Sequence, residues 1–177
     1  MSHDITIHYS FDLAQQVHLP NSPCQPGPIY FLTPRKAGFF GICFDGLPQQ
    51  INYLTDEGAS SMKGSNAVIS YLQHFFEMHE LGEKHADLHC DNCSGQNKNR
   101  FVLRYMARCV MMGRHKSITI NIMPPGHIKL APDWCFGLLK CKFQRSETHC
   151  LDDLCDAVRQ STPVKKVNVP QIIVIEN

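Results

Sequence analysis

The sequence has no hydrophobic run fit to cross a membrane. Its longest uncharged stretch, Leu13 to Pro34, carries five prolines and several polar side chains, which excludes a spanning helix there. It also lacks a basic start followed by an apolar core. MSHDITIHYS holds an acid and alternates in polarity, which excludes a secretory signal. There are no internal repeats and no low-complexity tracts. With 43% hydrophobic and 19% charged residues, the chain is neither disordered, collagen-like nor a simple coiled coil. The nine cysteines are odd in number and scattered, unlike the dense even framework of a small secreted domain. They are read as reduced thiols of an intracellular protein. Acid is nearly missing from residues 92–146, where ten Lys and Arg stand against Asp133 alone. Residues 1–91 reverse the balance, with four Lys and Arg against ten acids. The net charge is only +1, so this unevenness implies a basic face for a polyanion beside an acidic region.

A length of 177 residues suits one domain spanning residues 1–177. Ile5, Ile7, Tyr9 and Phe11 alternate with polar residues, which predicts a strand ending near Asp12. Prolines from Pro20 onward mark a loop. GFFGICF (Gly38 to Phe44) and QQINYL (Gln49 to Leu54) complete an antiparallel meander. Ser65 is placed to cap a helix carrying Val68, Ile69, Leu72, Phe75 and Phe76, with Gly82 as its stop. HADLHC (His85 to Cys90) reads as a strand with Asp91 at its carboxyl end. A helix from about Arg100 to Met112 and a strand at Ile118 to Ile122 follow. Pro132 opens another helix, Leu151 to Arg159 forms a fourth, and Val167 to Ile175 gives a last strand. The predicted fold is α/β: a mixed sheet, made of the three-stranded meander plus α-β-α-β and flanked by helices. Its order is that of a ribonuclease H-like fold.

Three carboxylates lie where such a sheet can gather them: Asp12, Asp91 and Asp133. Converging carboxylates repel one another and call for a cation, and hard oxygen donors suit Mg²⁺ or Mn²⁺. Each acid also has a structural role open to it. Asp12 can end a strand, Asp91 can start a turn, and Asp133 after Pro132 can stabilise a helix N-terminus. Cys90-x-x-Cys93 near His85 and His89 has a zinc-like spacing, but no second close pair accompanies it, so structural zinc is disfavoured. Cys90 also alternates as a buried strand residue does. Cys93 beside His89 or His127 is a thiol-nucleophile candidate of lower rank. His127 is a candidate proton carrier or outer ligand, and Asn92 a candidate assisting group. Lys98, Arg100 and Lys129 are candidate phosphate contacts. Arg104, Arg108, Lys140, Lys142 and Arg145 extend the basic character or form a solvated face.

DNCSGQNKN (Asp91 to Asn99), GHIKLAPDWCFGLLK (Gly126 to Lys140) and YSFDLAQQVHLP (Tyr9 to Pro20) resemble a transposon-derived animal family. That family carries a DDE transposase/integrase-like, ribonuclease H-like domain, and the resemblance runs from about Tyr9 to Gln171. It implies that Asp12, Asp91 and Asp133 fill the first, second and third acidic positions. The third is Asp here, where related enzymes often have Glu. It further implies two-metal-ion chemistry on nucleic-acid phosphodiesters, with DNA (RNA is the other candidate) as partner, no membrane, and a nuclear location. Related enzymes also need a separate module that recognises their element's ends. The chain is therefore expected to be a fragment or truncated copy. The alternative is an inactive, domesticated remnant of the same fold that binds nucleic acid or protein.

Overall fold

The computed structural model describes residues 4–24, 33–47, 49–58, 64–124, 130–163 and 167–173. Strand β1 runs Thr6–Leu19, β2 Arg35–Phe44 and β3 Gln49–Asp56. Helix α1 (Ser65–Met78) leads to β4 (His85–Cys90), and α2 (Arg100–Met111) to β5 (Ser117–Ile122). Helices α3 (Ala131–Gln144) and α4 (Leu151–Arg159) precede β6 (Asn168–Ile172). The order of elements is the one the residue pattern predicts. The six strands form one mixed sheet in the order β5-β4-β1-β2-β3-β6. β1 pairs antiparallel with β2 and parallel with β4.

Alternation along the strands divides the apolar residues between two faces. Phe40, Ile42 and Phe44 face one way and meet Val68, Leu72, Phe75 and Phe76 of α1, together with Val102 and Met106 of α2. Ala37, Phe39 and Leu54 face the other way and meet Leu139 and Phe143 of α3 and Leu154 and Val158 of α4. Each fully buried Leu or Phe contributes about 1.5–3 kcal/mol, so these two layers fix which helix covers which face. No helix among the described residues is long and apolar enough to cross a membrane.

Three boundaries differ from expectation. β1 does not end near Asp12 but continues seven residues to Leu19, so Asp12 is a mid-strand residue. The extension contains a bulge: Ala14 pairs with Phe39 and Val17 with Ala37, leaving an extra residue on β1. Ser65 is the first residue of α1 rather than its cap, and Gly64 holds the cap position at φ +70°, a conformation open to glycine. β6 is shorter than the predicted strand within the described residues.

Candidate acidic site beside the central strand

Asp12 owes its position to the sheet. Ser10 on β1 pairs with His89 on β4 as the last pair of that parallel ladder, and Asp12 and Asp91 each follow two residues later, close enough that the Asp91 charge bears on Asp12. Both lie just past Cys90, where β4 ends. Alternation along β1 puts Asp12 on the face opposite Tyr9 and Phe11, away from the α1–α2 core. On its other side Asp12 pairs with Gly41 of β2. A Cβ at Gly41 would stand 2.6 Å from Gln50 Nε2 and 2.7 Å from Phe136 Cζ. This bare glycine therefore lets the Phe136 ring of α3 lie against the sheet. The close seat of α3 brings Asp133 to Asp12, and both residues line one end of a groove of about 730 Å³ between β1 and α3. Burial pushes the Asp12 carboxyl up to about 6, and the charges of Asp91 and Asp133 add to the rise.

The second acid is held by its own loop. Asp91 Oδ1 accepts a short hydrogen bond from Asn97 Nδ2 and a longer one, 3.4 Å, from the Cys93 amide. The amides of Asn97 and Lys98 turn back to the Cys93 carbonyl at 2.8 and 3.0 Å. Asn99 Oδ1 then accepts from the Phe101 and Val102 amides at 3.0 and 3.1 Å and caps α2. The DNCSGQNKN run is thus a turn that fixes Asp91 at one end and starts a helix at the other. Asp133 does serve its helix N-terminus, since its Oδ2 accepts from the Leu130 amide at 2.8 Å. Its position beside Asp12 comes in addition to that role.

One oxygen each of Asp91 and Asp133 is thus engaged by the protein, and the other has no hydrogen bond among the described residues. These are hard donors of the kind Mg²⁺ and Mn²⁺ prefer. As placed, though, no group of three or more His, Cys, Asp or Glu side chains among the described residues is arranged to hold a metal ion. All described cysteines are free thiols, Cys90 and Cys93 included, and no histidine among the described residues is hydrogen-bonded to Cys93.

Lys98 and Arg100 are exposed at the rim of the Asp91 loop, with the Arg100 guanidinium 5.0 Å above the Phe101 ring. Neither forms an ion pair among the described residues, nor do Arg104, Arg108, Lys140, Lys142 or Arg145, whereas Arg114 and Lys116 pair with Glu80 and Asp4. Asn92 is exposed beside Asp91. His127 and Lys129 lie outside the described residues.

Four features of this face went unread in the sequence. Asn97, 2% exposed, anchors Asp91. Gly41 makes room for Phe136. One pleat below the acids, His89 Nδ1 lies 3.4 Å from Asp45 Oδ2 and His8 Nδ1 3.7 Å from Asp87 Oδ2. The two imidazoles stack with centroids 5.8 Å apart. The glycine inside the apolar run GFFGICF was the one available signal of a close approach.

A protein-family model described as a domain of unknown function matches residues 39–177, which takes in Asp91 and Asp133 and starts beyond Asp12. No curated protein and no solved structure matches the chain.

Proposed function

The chain belongs to the DUF7869 family, and on that premise we propose that it is a ribonuclease H-like domain of transposase origin acting on nucleic-acid phosphodiesters. The order β5-β4-β1-β2-β3, with the first strand at the centre, supports the fold reading. The observation that carries the functional reading is Asp12. It is an acid on the central strand that feels the charges of both Asp91 and Asp133 and shares a groove lining with Asp133. A partly buried carboxylate facing two others is costly unless a cation joins them.

In this reading Asp12, Asp91 and Asp133 would be the residues that hold Mg²⁺ or Mn²⁺. Two such ions would supply an activated water or 3′-hydroxyl and stabilise the leaving oxygen. Asn97 holds Asp91 in place. Lys98 and Arg100 contact backbone phosphates, in keeping with their lack of acidic partners. DNA is the favoured substrate, with a nuclear location. The test is Mn²⁺-dependent cleavage of supercoiled plasmid. Asp91→Asn should abolish it while circular dichroism and thermal unfolding show an intact fold, and unchanged cleavage would refute the mechanism.

A second reading is favoured by one observation: the carboxylates are not gathered into a ligand set, and Asp133 spends an oxygen on Leu130. In that case the domain is a nucleic-acid-binding remnant without turnover. DNA binding in EDTA, weakening steeply with salt and indifferent to Asp→Asn changes, together with no cleavage, would support it.

A further inference from the structure

β4 accompanies β1 only from Thr6 to Ser10, because the chain turns away after Cys90. From Phe11 to Leu19 the β4 side of β1 has no strand beside it among the described residues; the Leu13 amide is taken by the Asp12 carboxylate, and none of these residues makes a main-chain to main-chain hydrogen bond outside the strand ladders. This is an open edge some nine residues long in the middle of the sheet. It does not face bulk solvent as a flat ribbon. The groove of about 730 Å³ runs along it, lined by the consecutive residues Asp12 to His18 on one side and by α3 on the other. The two elements run side by side. Asp12 and Asp133 mark one end, and at the far end Asn21 Nδ2 donates to the Phe143 and Ser146 carbonyls at 2.8 Å each.

We infer that this groove binds an extended peptide from a partner protein, which adds a strand to the β1 edge beneath α3. Unpaired strand amides and carbonyls in a row are matched by another extended main chain. A nucleic-acid strand offers no such alternation of donors and acceptors. The walls suit side chains that point alternately up and down: Val17, Phe39, Phe136 and Leu139 are apolar. Gly137 leaves open space over the groove, with nothing within 4 Å of where a Cβ would stand. The charges also favour a peptide over a polyanion. Asp12 and Asp133 stand at one end, and Lys140 lies seven residues further along α3, about 10 Å at 1.5 Å per residue. That distance corresponds to about three residues of extended chain. The matching peptide carries a basic group toward Asp12 and Asp133, an acidic group toward Lys140, and apolar residues between. The inference stands on the edge and the groove, and because the peptide's basic residue meets the Asp12 and Asp133 carboxylates that the proposed function gives to metal, peptide and metal compete at that end of the groove.

The probe is a phage-displayed library of random twelve-residue peptides, panned on the full chain. Enriched peptides should share apolar alternation with a basic residue two or four positions from an acidic one, so that both point to the same side. A selected peptide, synthesised and added to the protein, should slow amide exchange at Leu13 to His18. Gly137→Trp, which fills the groove from a site with free space, should weaken binding at least tenfold with thermal unfolding unchanged. The surface change Lys140→Glu should weaken it at least fivefold and serves should the tryptophan variant misfold. No enrichment, peptides that bind both variants within twofold of wild type, or protection confined to other strands or helices would each overturn the proposal. So would an oligothymidylate that protects the same amides and is blocked by Gly137→Trp, since the groove would then hold a nucleic-acid strand.

Discussion

Replacing Asp12 with asparagine should make the protein more stable while removing a group essential to the proposed chemistry. The Asp12 carboxyl is raised from 3.8 to about 6 by burial and by its two acidic neighbours. At 1.36 kcal/mol per unit, the ionised form costs the fold about 3 kcal/mol at neutral pH. Asp12 is only partly buried, and solvent screening brings this to about 1.5 kcal/mol. The sign follows from linkage. The folded state holds its proton more tightly than the unfolded chain, so wild-type stability is full below about pH 4 and falls as pH rises through about 6. Asparagine does not titrate, so the variant lacks this loss. At pH 7.5 Asp12→Asn should therefore unfold about 3–6 °C above wild type, at about 2–4 °C per kcal/mol for a chain of this size. At pH 3.5 the two should coincide. Saturating Mn²⁺ should raise the wild-type midpoint above pH 6 and leave the variant unmoved. Scanning calorimetry from pH 3.5 to 8 tests all of this. A variant less stable than wild type at pH 7.5, or a difference that does not vary with pH, would refute the account of Asp12 as an acid whose burial and acidic neighbours outweigh its one hydrogen bond, from the Leu13 amide.

Gly41→Val should destabilise the fold by about 2–3 kcal/mol, read by urea denaturation, because its side chain would overlap Gln50 and Phe136. Asn97→Ala should lower Mn²⁺ affinity about tenfold in calorimetric titration, since it frees Asp91 from its main anchor. Glu83 gives a pH prediction of the opposite sign. Burial opposes its charge, but His115, the Tyr9 hydroxyl at 2.5 Å and the Leu81 amide at 2.8 Å outweigh burial and hold its carboxyl down to about 2. That stability is present above about pH 4.5 and is lost as pH falls toward 2. Glu83→Gln should cost about 3 kcal/mol at pH 7 and remove this acid sensitivity, as acid titration followed by circular dichroism would show.

The strands that alternate strictly were legible as they stand. Ala86, Leu88 and Cys90, and then Ile118, Ile120 and Ile122, keep period two because one face of each strand is buried and the other polar. The second half of β1 was not legible for a physical reason. The bulge at Gln15–Gln16 breaks the alternation of LAQQVHL, so the pattern seemed to stop at Asp12. Asp91 and Asp133 could be placed from local signals, the end of a strand and the first turn after Pro132. The relation of Asp91 to Asp12 depends on the pairing of β1 with β4, and that of Asp133 on Gly41 and Phe136, contacts between residues far apart in the chain that no local pattern encodes. Asn97 looked like any polar turn residue, because its role rests on burial against Asp91 rather than on its neighbours in sequence.

The placing of β1 at the centre of the sheet has a consequence for how the chain is made. Once residues through Ile122 have left the ribosome, β1 to β5 can assemble and α1 and α2 can close one face. Leu19, Phe39 and Leu54 on the other face wait for α3 and α4. At about 5–20 residues per second, that wait lasts on the order of seconds. During it the nascent chain carries a nearly complete sheet with one naked apolar side. In that interval the apolar side that α3 and α4 later cover is open to contact with other chains, as it is not in the finished molecule.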